Sequence, residues 1–391
     1  MRASVALAAI AVCAVAVAAA VLCWNPGRDV EEDAPVIPDP GDDVLHEPGT
    51  TVPEVPDEPQ VTDPPGEPDP VGPQLPEGFS FDPDTGTVYH EGSVSWTVRD
   101  LSRCAYTGRL VPYEGEKSEG PSVSLGPGFY SISADGTEFD VTVPGRLEKT
   151  LSWTYLDRSL LPHEASVTAT FDTSYVQETV SKSRGMNRDL PRTFTEAVKY
   201  VIADGFTSDL ESKLSKAFRE IEPDGGAQEY ADFLASFVQK AIPYPPTILG
   251  EIRYGTDAFV YGTDEYWALP AETVLHGYGD CEDKSILLCS LYLSAGFETA
   301  LLCLPSHVCA GVAIEDFEEV PLTTLKGYSD IWVGYRLSTS GGYYGVEASR
   351  DQVPVGYTTF EQKWIDGAST RWGMSGFYPV HTDEGGIQSS Q

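Results

Sequence analysis

The sequence predicts an α+β fold, in which a small antiparallel β domain is followed by helices and then by three further strands. Between residues 79 and 175, apolar and polar residues alternate with the period of strands, and turn sequences such as Ala134-Asp-Gly136 separate the runs. After residue 193 the period becomes that of amphipathic helices, and the three further strand patterns follow residue 296.

The chain divides into five predicted segments. These are a signal-anchor or signal peptide, a disordered spacer, the small β domain, a larger domain with a helical N-terminal part, and a disordered tail, at residues 1–25, 26–78, 79–175, 176–380 and 381–391. The part that folds is long enough for two packed domains of about 100–200 residues each.

The first segment determines the predicted location. No charged residue lies between Ala3 and Trp24, and about 20 apolar residues are long enough to cross a bilayer. The apolar region of a signal peptide is usually shorter, so we favour an uncleaved anchor over a cleaved signal, which would give a secreted protein. Because the basic residue Arg2 stays inside, the rest of the chain is expected outside the cell.

The spacer is rich in proline and acidic residues. It holds 14 of the 30 prolines and 15 acidic residues against one arginine, too few large apolar groups to offset the entropy of ordering. We expect it to be a disordered stalk. The whole chain has a formal net charge of −35 and no Lys/Arg cluster, which excludes nucleic acid as an expected partner.

Three helices are predicted before the candidate site, over Thr193 to Ala203, Ser208 to Ile221 and Ala227 to Ile242. In the third, apolar residues recur at i, i+3, i+4, i+7 and i+8, which is typical of an amphipathic helix. The prolines from Pro243 onward end it, because proline cannot continue a helix.

The most informative stretch runs from Gly277 to Gly296 and predicts a buried helix that is apolar almost all round. Asp280 suits the N-cap, and Asp283 stands three residues later in capping-box position. Cys281 then lies in the first turn, where unpaired N–H groups and the positive helix end are expected to stabilise the nucleophilic thiolate.

The other cysteines do not predict a disulfide framework. Two of the seven lie in the apolar N-terminal segment, and Cys281 and Cys289 are too far apart along one helix to be bridged. A bridge between Cys303 and Cys309 is conceivable, but we favour buried free thiols for Cys289, Cys303 and Cys309.

Strand patterns follow this helix at 297–304, 308–314 and 343–348. His307 opens the second strand, and Glu347 lies near the end of the third. On neighbouring antiparallel strands these two side chains would share a face and hydrogen-bond. The order along the chain is then nucleophile, base and orienting carboxylate, the arrangement of a cysteine triad.

The blocks Gly279-Asp-Cys-Glu-Asp-Lys-Ser, Pro305-Ser-His-Val and Tyr344-Gly-Val-Glu-Ala-Ser, with the run from Leu269 before them, resemble the transglutaminase-like superfamily. They are most similar to its archaeal and bacterial membrane-associated branch, over about residues 225–360. The resemblance implies a papain-like core, with a central helix packed on an antiparallel sheet, in the domain at 176–380. It also implies a Cys–His–Asp triad, which maps to Cys281, His307 and Glu347.

Two departures from the family pattern concern the third triad member. The usual residue is Asp, and Glu347 has one more methylene group. The connection between residues 314 and 342 is also longer than usual, which leaves Asp330 as a competing third member.

The function expected from these residues is thiol-dependent amide hydrolysis outside the cytoplasm through a thioester on Cys281, as in a cysteine peptidase. Its partner would be a protein or peptide substrate. A cross-linking transglutaminase with the same residues, or a non-catalytic peptide-binding module on a stalk, are the alternatives. No cofactor or metal is expected, since His276, Glu282 and Asp283 have no further ligand at useful spacing.

Overall fold

A computed structural model describes most of the chain from residue 75 onward. The described residues are 75–101, 115–188, 194–245, 248–249, 252–253, 257, 260–261, 263, 265–304, 307–319, 335–336, 342–351, 353–358 and 376–380. The predicted anchor, residues 26–74 of the predicted spacer, the predicted tail and the competing Asp330 lie outside them. The disordered spacer was predicted to extend to residue 78, and its last four residues are wrong, because Leu75 packs against the core of the first sheet. Within the described part, none of the helices has the length and apolar character needed to cross a membrane.

The first sheet is antiparallel and has five strands. They are β1 (Phe79–Asp82), β2 (Thr87–Asp100), β3 (Glu116–Ser124), β4 (Gly128–Ala134) and β5 (Thr137–Val143). The long strand β2 pairs with β1, β3 and β4, and β4 pairs with β5. The sheet packs around Trp96, Ile132 and Val141, and the indole N–H of Trp96 donates to the carbonyl of Gly120 at 2.9 Å. This is the antiparallel arrangement that the alternation predicts.

A separate hairpin follows, formed by β6 (Arg146–Leu156) and β7 (Pro162–Asp172). By sequence it falls in the predicted β domain, but its apolar face packs in a second hydrophobic core together with the helices. Trp153 lies against Phe233 and Phe237, and its indole N–H donates to the hydroxyl of Ser236 at 3.0 Å.

Six α-helices have both of their ends among the described residues. They are α1 (Thr173–Asn187), α2 (Phe194–Ala197), α3 (Gly205–Ile221), α4 (Ala227–Ala241), α5 (Pro270–His276) and α6 (Cys281–Ser294). The two longest predictions before the site are confirmed as α3 and α4. The helix predicted over 193–203 is wrong in extent, because α2 passes into a 3₁₀ turn at Val198–Tyr200 and the chain is extended at Val201. There the amide of Ile202 donates to the hydroxyl of Ser290, so tertiary packing outweighs the helical pattern.

Helix α6 is the centre of the second core. Its residues from Asp283 to Tyr292 are all buried, and it contacts α3, α4, α5 and two strands of the second sheet. The apolar character around the whole helix therefore predicted its central position correctly.

The predicted side-chain cap of α6 is wrong. Asp280 is the N-cap residue, but its side chain makes no capping hydrogen bond. The carboxylate of Asp283 instead accepts hydrogen bonds from the amide of Ala268 at 2.8 Å and the hydroxyl of Tyr261 at 3.0 Å. Asp283 therefore binds the loop before α5 instead of capping α6.

The second sheet is also antiparallel and contains β10 (Thr299–Leu304), β11 (His307–Ala313), β13 (Tyr343–Val346) and β15 (Gly376–Pro379). Across the sheet their order is β13-β11-β10-β15. Four two-residue strands complete the described part: β8 (Ile248–Leu249) with β9 (Ile252–Arg253), and β12 (Tyr335–Arg336) with β14 (Tyr357–Thr358). The described chain is therefore a mixed α and β structure with antiparallel sheets, as predicted.

We expect Gly279→Ala to destabilise the protein by about 1–3 kcal/mol, because the turn before α6 has no room for a methyl group. A Cβ atom there would lie 2.9 Å from Cβ of Asp283 and 3.0 Å from Cγ2 of Thr273. Urea denaturation measures the change. Gly205→Ala is the matched control, since no described atom lies within 4 Å of its added carbon, and it should change stability by less than about 1 kcal/mol. Equal effects of the two changes would contradict the close packing at Gly279.

Candidate active site

Cys281 is the first residue of α6 and is 7% exposed. The preceding turn begins at Gly277, which ends α5 with a φ of 71° in the left-handed region. The thiol donates to a carboxylate oxygen of Glu282 at 2.8 Å. The amide of Val308 and the hydroxyl of Tyr244 lie close to the sulfur. The nucleophile candidate is thus held against the strand that begins with His307.

The pKa of the Cys281 thiol is raised well above its ordinary value. Burial has the largest effect, and the carboxylates of Glu282 and Asp280 add to it, while the amide of Val308 opposes it. The sequence predicted the reverse, a thiolate stabilised by the helix N-terminus. That prediction is wrong for this arrangement, because a helix end contributes only about 0.3–1 kcal/mol to a nearby charge, less than one pKa unit.

His307 and Glu347 are within hydrogen-bond distance, as the strand alternation predicted. Strands β11 and β13 are neighbours, with Ala310 opposite Val346, so the residue after β13 lies beside β11. Nε2 of His307 lies 3.1 Å from Oε1 and 3.2 Å from Oε2 of Glu347. The longer side chain of Glu347 therefore reaches the imidazole from a position just beyond the end of its strand.

The Glu347 carboxylate is completely buried yet ionised. Ser349 donates to Oε1 from its hydroxyl at 2.6 Å and from its amide at 3.1 Å, and the thiol of Cys309 lies 3.6 Å from Oε2. Burial by itself would raise the pKa of Glu347, but the charge and hydrogen bond of His307 and the Ser349 donors lower it to about 2. A carboxylate that stays charged in the interior can fix an imidazolium beside it.

Two buried polar residues hold the main chain near Glu347, and neither was predicted from the sequence. The side-chain amide of Gln239 in α4 donates to the carbonyls of Glu347 at 2.9 Å and Val353 at 2.8 Å. Lys284 in α6 is 1% exposed, and its ammonium group donates to the main-chain carbonyl oxygen of Gln239 at 3.1 Å. Burial lowers the pKa of Lys284 to about 8. In the sequence, the feature that could have indicated this contact is a lysine within an otherwise apolar helix.

Three buried aspartates form a second cluster beside the start of α6. Carboxylate oxygens of Asp257, Asp280 and Asp283 lie within 4.8 Å of one another. Burial, followed by the charges of Asp283 and Asp280, raises the pKa of Asp257 to about 10. Burial and Asp280 also raise the pKa of Asp283. Like charges this close cannot all ionise, so the cluster retains at least one proton at neutral pH.

His276, which the sequence analysis considered as a zinc ligand, is buried in α5. It is 8% exposed, and burial, with Lys149 and Arg184 nearby, lowers the pKa of its imidazole to about 3. Its ring meets that of Tyr261 edge-on, with the ring centroids 5.6 Å apart. Among the described residues it belongs to no group of three ligand atoms that could share a metal.

Comparisons with known proteins gave no match to this chain, either among protein-family models or among curated proteins and solved structures. The resemblance to the transglutaminase-like superfamily stays a prediction from the motifs.

We expect Asp257→Asn to stabilise the protein, increasingly so as the pH rises above about 4. The folded-state pKa of Asp257 is raised to about 10 from 3.8, so unfolding releases a proton throughout this range. Asparagine removes that linkage and can still accept from the amide of Tyr266, which now donates to Asp257 at 2.7 Å. Urea denaturation at pH 4, 6 and 8 should give a gain on the order of 1–3 kcal/mol at the highest pH.

The matched control for this change is Asp209→Asn, at an exposed carboxylate on α3 paired with Lys213 at 2.7 Å. It should change stability by less than about 1 kcal/mol. A loss of stability in Asp257→Asn at pH 8 would mean that Asp257 is ionised and compensated by a nearby cation.

We expect Glu282→Gln to lower the pH at which Cys281 reacts with iodoacetamide. The wild-type midpoint should lie above the value of about 8.5 for a free cysteine, since burial and two carboxylates disfavour the thiolate. Removing one of these charges should move the midpoint down by about one pH unit. Peptide mapping separates Cys281 from the other thiols, and Glu298→Gln, at an exposed position, serves as control. A wild-type midpoint well below 8.5 would restore the low-pKa thiolate that the sequence predicted.

Proposed function

We propose that the protein is an extracytoplasmic thiol-dependent amide hydrolase with a papain-like core of the transglutaminase-like kind. Cys281 is the nucleophile, His307 the general base and acid, and Glu347 the residue that orients His307. The observation that supports this most strongly is the buried, ionised Glu347 hydrogen-bonded to His307 beside the start of α6. Its acidic spacer and apolar N-terminal segment fit a domain held outside a membrane.

The reaction begins from a neutral thiol. With Nε2 of His307 bound to Glu347, Nδ1 is the ring nitrogen that serves Cys281. The imidazole takes the thiol proton as the sulfur attacks the substrate carbonyl carbon, giving a tetrahedral oxyanion. When the C–N bond breaks, the imidazolium returns the proton to the leaving amine, and the acyl group remains on sulfur as a thioester.

Water completes the cycle by the same route in reverse. The imidazole accepts a proton from water, the hydroxide oxygen attacks the thioester carbonyl, and the sulfur leaves and is reprotonated. Glu347 contributes in both halves, because its fixed negative charge stabilises the imidazolium that each attack creates. The N–H groups of the first turn of α6 are placed beside the sulfur, where an oxyanion develops.

A cross-linking transglutaminase would use the same three residues and replace water with a lysine amine. The acidic surroundings of Cys281 favour this second candidate, since Glu282 contacts the sulfur and Asp280 and Glu265 lie near by. Negative charge attracts a cationic amine, and because burial raises the pKa of Glu282 and of Glu265, this attraction grows as rising pH ionises them. The two functions differ in the product: free acid and amine, or an isopeptide bond.

A non-catalytic binding module on a stalk fits less well. A buried carboxylate is retained at a large desolvation cost, which Ser349 and His307 offset by hydrogen bonding. A groove that only binds peptides gains nothing from that arrangement. Protein or peptide substrates are expected in either catalytic case.

Replacement of the triad tests the proposed function. Cys281→Ala should abolish release of amine from a denatured-protein or peptide-library substrate, and Glu347→Gln should reduce the rate by about 10²–10⁴-fold, because an amide no longer stabilises the imidazolium. Asp330→Asn should be nearly silent. Mass spectrometry of the full chain should detect an acyl adduct on Cys281, and products analysed with and without added amine separate hydrolysis from cross-linking.

Three outcomes would change the assignment. A silent Glu347→Gln with an impaired Asp330→Asn moves the third role to Asp330, and two silent changes reduce the triad to a Cys281–His307 dyad. Full activity in Cys281→Ala contradicts the proposal. Cys303→Ser, at a buried thiol on β10, is the matched control and should retain activity.

A further inference from the structure

Cys309 brings a second thiol to the proposed active site, although no step of the reaction uses it. It lies two residues beyond His307 on β11, so both side chains are on the same face of the strand. Its sulfur is completely buried and lies 3.6 Å from Oε2 of Glu347. Ligand atoms of Cys309, His307 and Glu347 all lie within 4.8 Å of one another.

Two of these separations match those of zinc ligands, and the third, from Nε2 of His307 to the sulfur, is within 4.8 Å. Bonds of about 2.0 Å to nitrogen and oxygen and about 2.3 Å to sulfur, at tetrahedral angles, place ligand atoms about 3.3–3.7 Å apart. Nε2 of His307 lies 3.2 Å from Oε2 of Glu347, and Oε2 lies 3.6 Å from the sulfur. Imidazole, thiolate and carboxylate are also the three ligand types that zinc takes from proteins.

The surroundings hold this carboxylate as a ligand is usually held. Ser349 binds Oε1 with its hydroxyl and amide, which fixes the group. Nε2 of His307 lies near both oxygens, 3.1 Å from Oε1 and 3.2 Å from Oε2, and Oε2 is the oxygen that also contacts Cys309. Such outer hydrogen bonds orient metal-binding carboxylates. One thiolate, one carboxylate and a neutral imidazole together cancel the charge of Zn²⁺, as a buried position requires. The His307 side chain is 14% exposed, which gives the ion a route to the site.

We propose that Nε2 of His307, Sγ of Cys309 and Oε2 of Glu347 form a zinc(II) site, with water as a fourth ligand. Zinc replaces the proton between His307 and Glu347 and the proton on Cys309. The site itself depends only on this geometry. Its consequence, reversible inhibition of the triad by zinc, rests on the proposed function, because a metal-bound Nε2 can no longer be oriented by Glu347.

Cobalt(II), which gives a coloured complex in zinc sites, is the probe. In the reduced full chain with Cys281→Ala, one equivalent of cobalt should give a thiolate-to-cobalt charge-transfer band in the near ultraviolet, and zinc should displace it. Adding Cys309→Ser should remove the band. Adding Cys303→Ser, the matched control at another buried thiol, should leave it unchanged. Glu347→Gln should weaken cobalt binding at least tenfold, on the scale of lost metal-site residues.

Circular dichroism of each variant separates loss of metal from loss of fold, and a folded Glu347→Gln keeps the test decisive if Cys309→Ser unfolds. A band that vanishes in Cys281→Ala but survives in Cys309→Ser would place the metal at Cys281 and overturn the proposal. So would the absence of any band from the Cys281→Ala protein. Metal binding by a chain without hydrolytic activity would refute only the proposed function, and activity insensitive to zinc in a chain without the band would refute only the zinc site.

Discussion

The buried charge of Glu347 is the constraint on which the rest of the second core depends. An ionised carboxylate without solvent is stable only when donors surround it, so Ser349 and His307 must both keep their places. Gln239 extends the constraint to α4, because its amide binds the carbonyl of Glu347. The position of one side chain thereby couples a helix, two strands and the loop after β13.

Helix α6 also has ionisable side chains buried close to its N-terminus. Its middle is apolar and packs on all sides, while Asp283 and Lys284 are fully buried close to its start. Lys284 has a pKa of about 8, below the ordinary value of 10.5, so burial disfavours its charged form and lowers stability at neutral pH. Charged groups that reduce stability and cluster beside a nucleophile are typical of functional sites rather than of structural cores.

The sequence was sufficient for the elements with strong local patterns. Helix α6 follows from its apolar composition, and the contact of His307 with Glu347 follows from the two-residue period of strands that pair as neighbours. The predictions that were wrong concern residues whose partners are distant in the chain. Asp283 binds Ala268 instead of capping its helix, and Ile202 leaves a helical pattern to reach Ser290. Local preference is worth a few tenths of a kcal/mol to about 1 kcal/mol per residue, so such buried contacts override it.

The carboxylates near Cys281 and His307, the proposed catalytic pair, have opposite electrostatic effects on the two residues. Glu347 stabilises a positive charge on His307, whereas Glu282 and Asp280 disfavour a negative charge on Cys281. The thiolate is therefore disfavoured at rest, and under the proposed mechanism it forms only as a substrate carbonyl receives its electrons. Oxidants and alkylating agents react with thiolates, not thiols. Under the proposed function, Cys281 therefore stays protected from such reagents as a thiol in the absence of substrate.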